Sequence, residues 1–233
     1  MDRPMQPLIV DLSVPLEPGM PVYPGDPEVR IEPALRVAAG EGVNVLAVHM
    51  GSQSGTHVDA PYHILDDGRR LDELPLERFL GRAVVADVRH VAAEDRIAWD
   101  DLSEVHGRLG AGVILVLHTG WSRHWGDIPR MRMHPWLDPD AARRIVEAGV
   151  RSVGIDGLSV DATPEDPAVT RFEAHLAILG AGGVIVENLT NLAALAGLRD
   201  PSLSVLPIAL ARSDGAPVRA VAFERGAWAG DRP

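Results

Sequence analysis

Four side chains that can bind a metal ion or move a proton lie close together in the sequence, at Gln53, His57, Asp59 and His63. They offer an amide, two imidazoles and a carboxylate. A divalent cation needs several such N and O donors converging on one point at roughly 2.0–2.2 Å. His57 and Asp59 are two residues apart, so extended backbone would place both side chains on the same face. The segment therefore predicts a metal-dependent active site.

A surface hydrogen bond is the ordinary alternative for the His57-x-Asp59 spacing. The surrounding sequence favours the metal site, because the cluster follows the apolar run Val45–Met50 and so comes at the end of a predicted strand. Rigid scaffolds usually present catalytic loops at such places. Gly55 permits a tight turn that would bring Gln53 beside the other donors.

Length and composition limit the possible functions. The chain has 233 residues, a formal net charge of −11 and no cysteine. This length suits one large domain, and we expect a single domain over residues 1–233. The negative charge argues against binding to nucleic acid or to an anionic membrane surface. Without cysteine, the metal donors that remain are His, Asp and Glu.

The sequence shows no targeting or membrane signal. No apolar run approaches about 18 residues, and the N-terminus lacks a basic region followed by a long apolar stretch. We therefore expect a cytoplasmic protein.

Short apolar runs alternate with helical patterns along the chain, and the stretch to residue 65 reads as all-β. This alternation predicts an α/β fold. Strands are predicted at Leu8–Leu12, Val45–Met50, Ala83–Val88, Val113–Leu117, Ser152–Ile155, Val184–Val186, Pro207–Ala211 and Val218–Phe223. The last two are predicted to form a hairpin through a turn at residues 213–215.

Helices are predicted at Leu76–Phe79, Trp99–Val105, Pro139–Ala148 and Val169–Leu179. The third has the clearest boundaries. Asp138 is a candidate N-cap, Pro139 suits the first helical position, and Gly149 follows the end.

Three residues downstream are further candidates for the site. His175 lies on the last predicted helix, and Glu187 ends an apolar strand, where a charge is costly unless a cation or partner compensates it. His175 could instead be a helix-surface histidine, and Glu187 could form a salt bridge. With the cluster at 53–63, however, they would complete a metal site. His118 ends the strand Val113–Leu117 and could support the ligands or face the substrate.

These residues resemble the signature of the cyclase family, whose best-known members are bacterial kynurenine formamidases. The family pattern His-x-Gly-Thr-His-x-Asp-x-Pro-x-His corresponds here to Gln53-Ser-Gly-Thr-His57-Val-Asp59-Ala-Pro61-Tyr-His63. Similar segments follow at residues 22–26, 119–121, 134–135, 154–156 and 185–190, so the resemblance spans about residues 8–192. It implies a swivelling β/β/α fold and a homodimer or homotetramer. Each subunit would hold one or two divalent ions, zinc or manganese.

The resemblance also implies roles for individual residues. His57 and Asp59 would bind the first metal, Asp59 and Glu187 would bridge, and His175 would bind the second metal. His63 would be the general base and acid.

The chain departs from the family at two positions. Gln53 stands where the family usually has histidine, and its amide oxygen is a weaker, harder donor. We therefore expect one tightly held ion rather than two, with manganese at least as effective as zinc. Tyr23 stands where the formamidases carry tryptophan against their aromatic substrate. We expect Tyr23 to contact the substrate, and this change argues against N-formylkynurenine as that substrate.

The donors and the resemblance together predict hydrolysis of an amide, formamide, cyclic imide or lactone through a metal-activated water. His63, with an ordinary pKa near 6.5, would take the water proton and return it to the leaving atom. The sequence has no Gly-x-Ser-x-Gly elbow and so gives a serine hydrolase no support. The alternative is a non-hydrolytic small-ligand-binding or biosynthetic accessory protein with a weakened metal site.

Overall fold

A nine-stranded mixed sheet organises the chain. In the computed structural model the described residues are 9–225, apart from the side chain of Pro167. The strand order is β1-β13-β11-β5-β7-β9-β10-β4-β12, and β2–β3 and β6–β8 form two small separate sheets. The strands are β1 Ile9–Asp11, β2 Arg30–Leu35, β3 Val45–His49, β4 His57–Asp59, β5 Leu80–Asp87, β6 Arg96–Ile97, β7 Val113–His118, β8 Trp136–Leu137, β9 Ser152–Ile155, β10 Val184–Glu187, β11 Pro201–Ser204, β12 Gly215–Pro217 and β13 Val221–Glu224.

Helical segments are short and mostly of the 3₁₀ type. The α-helices are α1 Ile128–Met131, α2 Pro139–Glu147 and α3 Glu173–Gly180. The 3₁₀ segments are Val37–Ala39, Pro61–His63, Leu71–Glu73, Leu76–Arg78, Trp99–Arg108, Trp121–His124, Pro167–Val169 and Leu192–Gly197. Among the residues described, no helix is long and apolar enough to cross a membrane.

The centre of the sheet is parallel, and its flanks are antiparallel. Strands β5, β7, β9 and β10 run parallel to one another. Every residue of β7 is buried, in keeping with the continuous apolar runs of parallel strands that are covered on both faces. On one flank β4 pairs antiparallel with β10 and β12, and on the other β11 pairs antiparallel with β5. The flank formed by β10, β4 and β12 carries the predicted metal-binding residues His57, Asp59 and Glu187.

Each face of the sheet carries its own core. Ile114 and Val116 of β7 belong to a core shared with Val58 and Val186. Leu115 and Leu117 alternate to the other face, where α2 and α3 pack. Burying a side chain of this size contributes roughly 1.5–3 kcal/mol.

The local signals in the sequence located most central elements. Strand β9 has the predicted bounds, and β5, β7 and β10 differ from prediction by a few residues. The predicted third helix is α2, with the Asp138 carboxylate accepting a hydrogen bond from the Asp140 backbone N–H at 2.8 Å. The predicted strand Leu8–Leu12 corresponds to β1, although Leu8 lies outside the described residues.

The other three helix predictions were partly wrong. The segments predicted at Leu76–Phe79 and Trp99–Val105 are 3₁₀ rather than α-helix. The fourth predicted helix is divided into a 3₁₀ turn and α3, which begins at Glu173.

The predicted late hairpin is wrong. Residues 207–211 form no strand, and Pro207 makes only an isolated antiparallel bridge with Val218. Gly215 instead begins β12, which pairs with β4. A Cβ atom at Gly215 would lie 2.5 Å from the Val58 carbonyl oxygen, so only glycine permits this close approach of the two strands.

The β2–β3 ribbon projects from the rest of the fold. Every residue of β3 is exposed, and so are all residues of β2 except Ile31. The exposed side chains include Val43, Leu46 and Val48, each more than half accessible to solvent. An isolated two-stranded ribbon is only marginally stable in water.

Candidate metal centre

Strand pairing brings the predicted donors together across about 130 residues of sequence. His57 lies directly opposite Glu187 in the antiparallel pair of β4 and β10, and Asp59 lies opposite Ile185. The His57 Nε2 atom is 3.4 Å from Asp59 Oδ1 and 3.6 Å from Glu187 Oε2. Donor atoms of His57, Asp59 and Glu187 all lie within 4.8 Å of one another, and all three residues are buried.

His175 approaches the same two carboxylates from the other side. It lies in the first turn of α3, and its Nε2 atom is 3.7 Å from Asp59 Oδ2 and 3.6 Å from Glu187 Oε1. Its Nδ1 atom donates to Asp161 Oδ2 at 2.7 Å. The Asp161 carboxylate also accepts hydrogen bonds from the backbone N–H groups of Ala174 and His175. Asp161 thus caps α3 and turns the Nε2 atom of His175 towards the two carboxylates.

Backbone contacts orient His57 in the same way. Its Nδ1 atom donates to the Gly55 carbonyl at 2.8 Å, which leaves the Nε2 atom facing the carboxylates. The same carbonyl accepts from the Asn188 side-chain amide, and Thr56 Oγ1 donates to the Asn188 carbonyl. Gly55 and Asn188 both have positive φ, at 66° and 56°. Hydrogen bonds to Asn188, the residue after Glu187, therefore fix the position of the loop before β4.

The donor set fits a divalent cation. Asp59 is 1% exposed, and no group in residues 9–225 donates a hydrogen bond to either of its carboxylate oxygens. A buried carboxylate without hydrogen bonds is costly unless a cation compensates it. The His57 and His175 nitrogens and the oxygens of Asp59 and Glu187 are donors that zinc and manganese accept.

The pKa values reflect the same opposition of charges. Burial lowers the pKa of the His57 imidazole, but the Asp59 and Glu187 carboxylates outweigh this effect and raise it well above the usual value. Burial likewise opposes protonation of His175, but the hydrogen bond to Asp161 and the nearby negative charges of Asp59 and Glu187 raise its pKa to about 10. Burial would raise the Asp59 pKa, but the neighbouring His57 and His175 imidazoles outweigh burial and lower it. Protonated imidazoles would therefore balance the two carboxylates when no cation is bound.

A second group of polar residues surrounds His63. Gln53 Nε2 donates to Asp214 Oδ2 at 2.7 Å and lies 3.0 Å from His63 Nδ1. His63 Nδ1 is itself 3.3 Å from Asp214 Oδ2. The amide can donate to Nδ1 when that nitrogen carries no proton, and the carboxylate can accept from it when it does. Both protonation states of His63 therefore have a partner.

Gln53 is held between these residues by close packing. A Cβ atom at position 215 would lie 2.7 Å from Gln53 Nε2, so Gly215 is needed to make room for the amide. The Gln53 Oε1 atom is buried and accepts no hydrogen bond in the described part of the chain. It is the only atom of the Gln53 side chain that could bind a cation, since Nε2 is a donor.

Sequence reasoning overlooked Asp214. It lies just before β12, in the segment that was predicted as a hairpin turn, and turn chemistry alone explained an Asp-Gly pair there. Burial would raise the Asp214 pKa, but hydrogen bonds from His63, Ser52 and Gln53 lower it, so the group is a carboxylate. Burial lowers the His63 pKa, but the Asp214 hydrogen bond outweighs it and raises the pKa.

A cavity of about 350 Å³ opens over the two groups. His57, His63, His175, Glu187 and Gln53 line it on one side, and Tyr23, Asp26, Leu158 and Phe172 line it on the other. Burial raises the pKa of the Tyr23 phenol, which therefore stays a neutral hydrogen-bond donor. The volume of the cavity suits a small organic molecule.

His118 does not join this cavity. On β7 it shares a face with Ile114 and Val116, whereas Glu187 on β10 shares a face with Ile185 in the opposite core. His118 lines a different cavity, together with Arg82 and Arg89. The structure thus gathers every candidate residue except His118, because that side chain points to the other face of the sheet.

This arrangement places residues that could hold a cation beside an imidazole, His63, that could exchange protons. The cavity exposes both to one small molecule, which is what hydrolysis of a carbonyl compound requires.

Comparisons with known proteins agree with this chemistry. The Cyclase family model matches residues 10–162. The chain is 34% identical to the kynurenine formamidase of Salinibacter ruber (strain DSM 13855 / M31), covering 91% of this chain and 96% of that protein. It is 31% identical to the kynurenine formamidase of Geobacillus thermodenitrificans (strain NG80-2), covering 93% and 98%. The fold matches isatin hydrolase A from Labrenzia aggregata with a TM-score of 0.82 and 26% identity, covering 94% of each chain. The predicted α/β fold class is confirmed.

Proposed function

Because this chain belongs to the Cyclase family, we propose that it is a metal-dependent hydrolase acting on an amide, formamide, cyclic imide or lactone bond of a small carbonyl compound. One observation carries the proposal above the others. Within residues 9–225 the buried Asp59 carboxylate accepts no hydrogen bond, and it lies between two imidazoles whose Nε2 atoms face it. A cation held among these groups would account for that arrangement.

His57, Asp59, Glu187 and His175 would hold one or two ions, with Gln53 able to contribute through its amide oxygen. Each imidazole faces a different pair of carboxylate oxygens, which supports bridging by Asp59 and Glu187. A bound divalent ion polarises a carbonyl and lowers the pKa of a coordinated water. Since Gln53 is the weakest of the five donors, we keep the expectation of one tightly held ion, with manganese at least as effective as zinc.

His63 would transfer the protons. It takes one from the attacking water and returns it to the leaving nitrogen or oxygen, while Asp214 and Gln53 hold its Nδ1 atom. Tyr23 would contact the substrate. Its neutral phenol can donate a hydrogen bond, and the neighbouring Phe172 offers an apolar surface to an aromatic ring.

Metal analysis tests the centre directly. Protein purified without chelator should retain close to one manganese or zinc ion per chain. Glu187→Gln should lose it, because a neutral amide replaces a buried ligand. The control is Glu147→Gln, an exposed residue on α2, which should keep the metal. Absence of tightly held metal after supplementation with either ion would contradict the proposal.

A hydrolysis screen tests the substrate class. The names of the relatives point to formamides and to isatin-like cyclic amides. The panel therefore contains N-formylkynurenine, isatin, dihydropyrimidines and small lactones, each with manganese and with zinc. We expect turnover of at least one compound. If none is hydrolysed by metal-loaded protein, the alternative of a non-hydrolytic ligand-binding or accessory protein is favoured.

We also propose that the chain forms a homodimer or homotetramer through the β2–β3 ribbon. The ribbon exposes Leu46 at 59% and Val48 at 54%, and it lies outside the main sheet. Leu46→Glu should reduce the mass measured by sedimentation velocity. Leu76→Glu, at a residue 64% exposed elsewhere, should not. A monomeric wild type would refute this proposal.

Two further expectations accompany the function. Strands β1 and β13, near the two ends of the described residues, pair within the main sheet, which supports one domain over residues 1–233. The cytoplasmic location remains a prediction, and fractionation of cells that express the protein would test it.

A further inference from the structure

A second cavity lies on the sheet face opposite the metal residues. It measures about 440 Å³ and is bounded by β5 and by the 3₁₀ segment Leu192–Gly197. Strand β11 pairs with β5 only at residues Leu80–Arg82. Beyond that point β5 has β7 on one edge and the cavity on the other. We call this cavity the arginine notch, after Arg82, Arg89 and Arg108 in its lining.

The charges of the arginine notch are only partly balanced by the protein. Arg89 is paired with Asp87, which lines the same cavity. Within residues 9–225, Arg82 and Arg108 form no salt bridge, and Arg82 donates only to the Arg108 carbonyl at 3.0 Å. The other acid in the lining, Asp200, is 3.6 Å from Arg225. Two guanidinium groups thus remain without a carboxylate, in a protein whose formal net charge is −11.

An imidazole also lines the arginine notch. His118 is 8% exposed, and within residues 9–225 neither of its ring nitrogens is a fully buried polar atom without a partner. The ring nitrogens are therefore open to a molecule in the cavity. Burial lowers the His118 pKa, so the ring is neutral at pH 7 and can donate one hydrogen bond and accept another. The ring can therefore hydrogen-bond a polar atom of a ligand that fills the arginine notch.

The remaining wall of the arginine notch is apolar. Val85, Leu192 and Leu195 contribute to it. A ligand of this cavity would meet charge on one side and hydrocarbon on the other. Its volume lies in the range that small organic molecules occupy.

We propose that the arginine notch is a second ligand site that binds a small organic anion, with its carboxylate or phosphate between Arg82 and Arg108 and its apolar body against Leu192 and Leu195. His118 hydrogen-bonds a polar atom of the same molecule. Guanidinium groups bind carboxylate and phosphate through paired N–H donors. Because the sheet separates the arginine notch from the metal residues, a bound anion leaves the catalytic cavity free.

Titration of zinc-loaded protein with benzoate, followed by NMR of the histidine ring protons, tests the proposal. Benzoate has a carboxylate and an apolar body, phosphate has the charge alone, and benzyl alcohol has the apolar body without the charge. We expect benzoate to shift the His118 signal saturably with one-to-one stoichiometry. Phosphate should shift it more weakly and benzyl alcohol should not shift it. The His57 and His175 signals should stay in place, since they report the other face of the sheet.

Variants identify the residues that bind the anion. Arg82→Gln and Arg108→Gln should each weaken benzoate binding by about tenfold or more, the usual loss when a charge-assisted hydrogen bond is removed. Arg143→Gln is the control, since Arg143 is an exposed arginine on α2. Melting temperatures and hydrolase activity should stay at the wild-type values in all three.

Four outcomes would overturn the proposal. The His118 signal could fail to shift at benzoate concentrations up to about 10 mM, where even a millimolar site saturates. It could shift equally with benzyl alcohol, or equally in the Arg82→Gln/Arg108→Gln double variant. Finally, the double variant could change the mass measured by sedimentation, which would make the arginine notch an interface between copies of this chain.

Discussion

Replacing Asp214 with asparagine should impair proton transfer without removing metal. The substitution keeps the size of the side chain but removes the charge that lies 3.3 Å from His63 Nδ1. A hydrogen bond to a charged group contributes about 1.5–3 kcal/mol. The side chains of His63 and Asp214 are 28% and 34% exposed, so solvent screening favours the lower end of that range. A loss of about 1.4 kcal/mol corresponds to a tenfold fall in kcat/KM.

The pH profile of Asp214→Asn should change in a defined direction. Asp214 raises the His63 pKa, so its loss lowers that pKa. A general base must be unprotonated to act, and the acid limb of kcat/KM should therefore move to lower pH. A merely structural role for Asp214 would not produce this shift.

The assay measures kcat/KM against pH on whichever compound of the panel is hydrolysed, together with metal content. Asp67→Asn, an exposed aspartate in a turn, is the control and should match the wild type. The reasoning is refuted if Asp214→Asn keeps both the wild-type rate and the wild-type acid limb. It is also refuted if the variant loses its metal, because Asp214 would then support the ligands instead of His63.

Three other predictions concern the same centre. His63→Ala should keep its metal, while turnover falls by about 10²–10⁴; loss of metal, measured by elemental analysis, would make His63 a ligand. Gln53→His should raise zinc affinity and favour a second ion, as measured by calorimetry; two tight zinc ions in the wild type and no change in the variant would argue against control by Gln53. Metal-free protein should lose stability as the pH rises from about 6.5 to about 10. In that window folded His175, with a pKa raised to about 10, keeps a proton that the unfolded chain releases. Denaturant titrations at the two ends of the window measure this loss, and rising stability there would contradict it.

Local sequence signals predicted the elements that depend on nearby residues. Helix α2 has its cap, its proline and its terminal glycine within twelve residues, and β9 is a short apolar run between loops. His57 and Asp59 were recognisable for the same reason, since their spacing alone places both side chains on one face of a strand.

The parts that the sequence did not reveal depend on distant pairing. Asp214 reaches His63 only because β12 pairs with β4, and Asp161 reaches His175 only through the start of α3. The turn-like residues 213–215 favoured a hairpin with a nearby strand. Gly215 instead begins β12, whose partner β4 lies more than 150 residues earlier in the chain. His118 was predicted near the site but lies on the other face of the sheet. Alternation along β7 determines that face, and the sequence distance from His118 to the other candidates gives no information about it.

The pairing of β4 with β10 and β12 also determines when the site can form during synthesis. His57 and Asp59 leave the ribosome long before Glu187, which is about 130 residues later, and Asp214 follows later still. At typical elongation rates of about 5–20 residues per second, the first ligands wait roughly 6–26 s for the last one. A nascent chain shorter than about 190 residues has only part of the ligand set. If the proposed centre binds metal, that metal can therefore stabilise the protein only after most of the chain has been made.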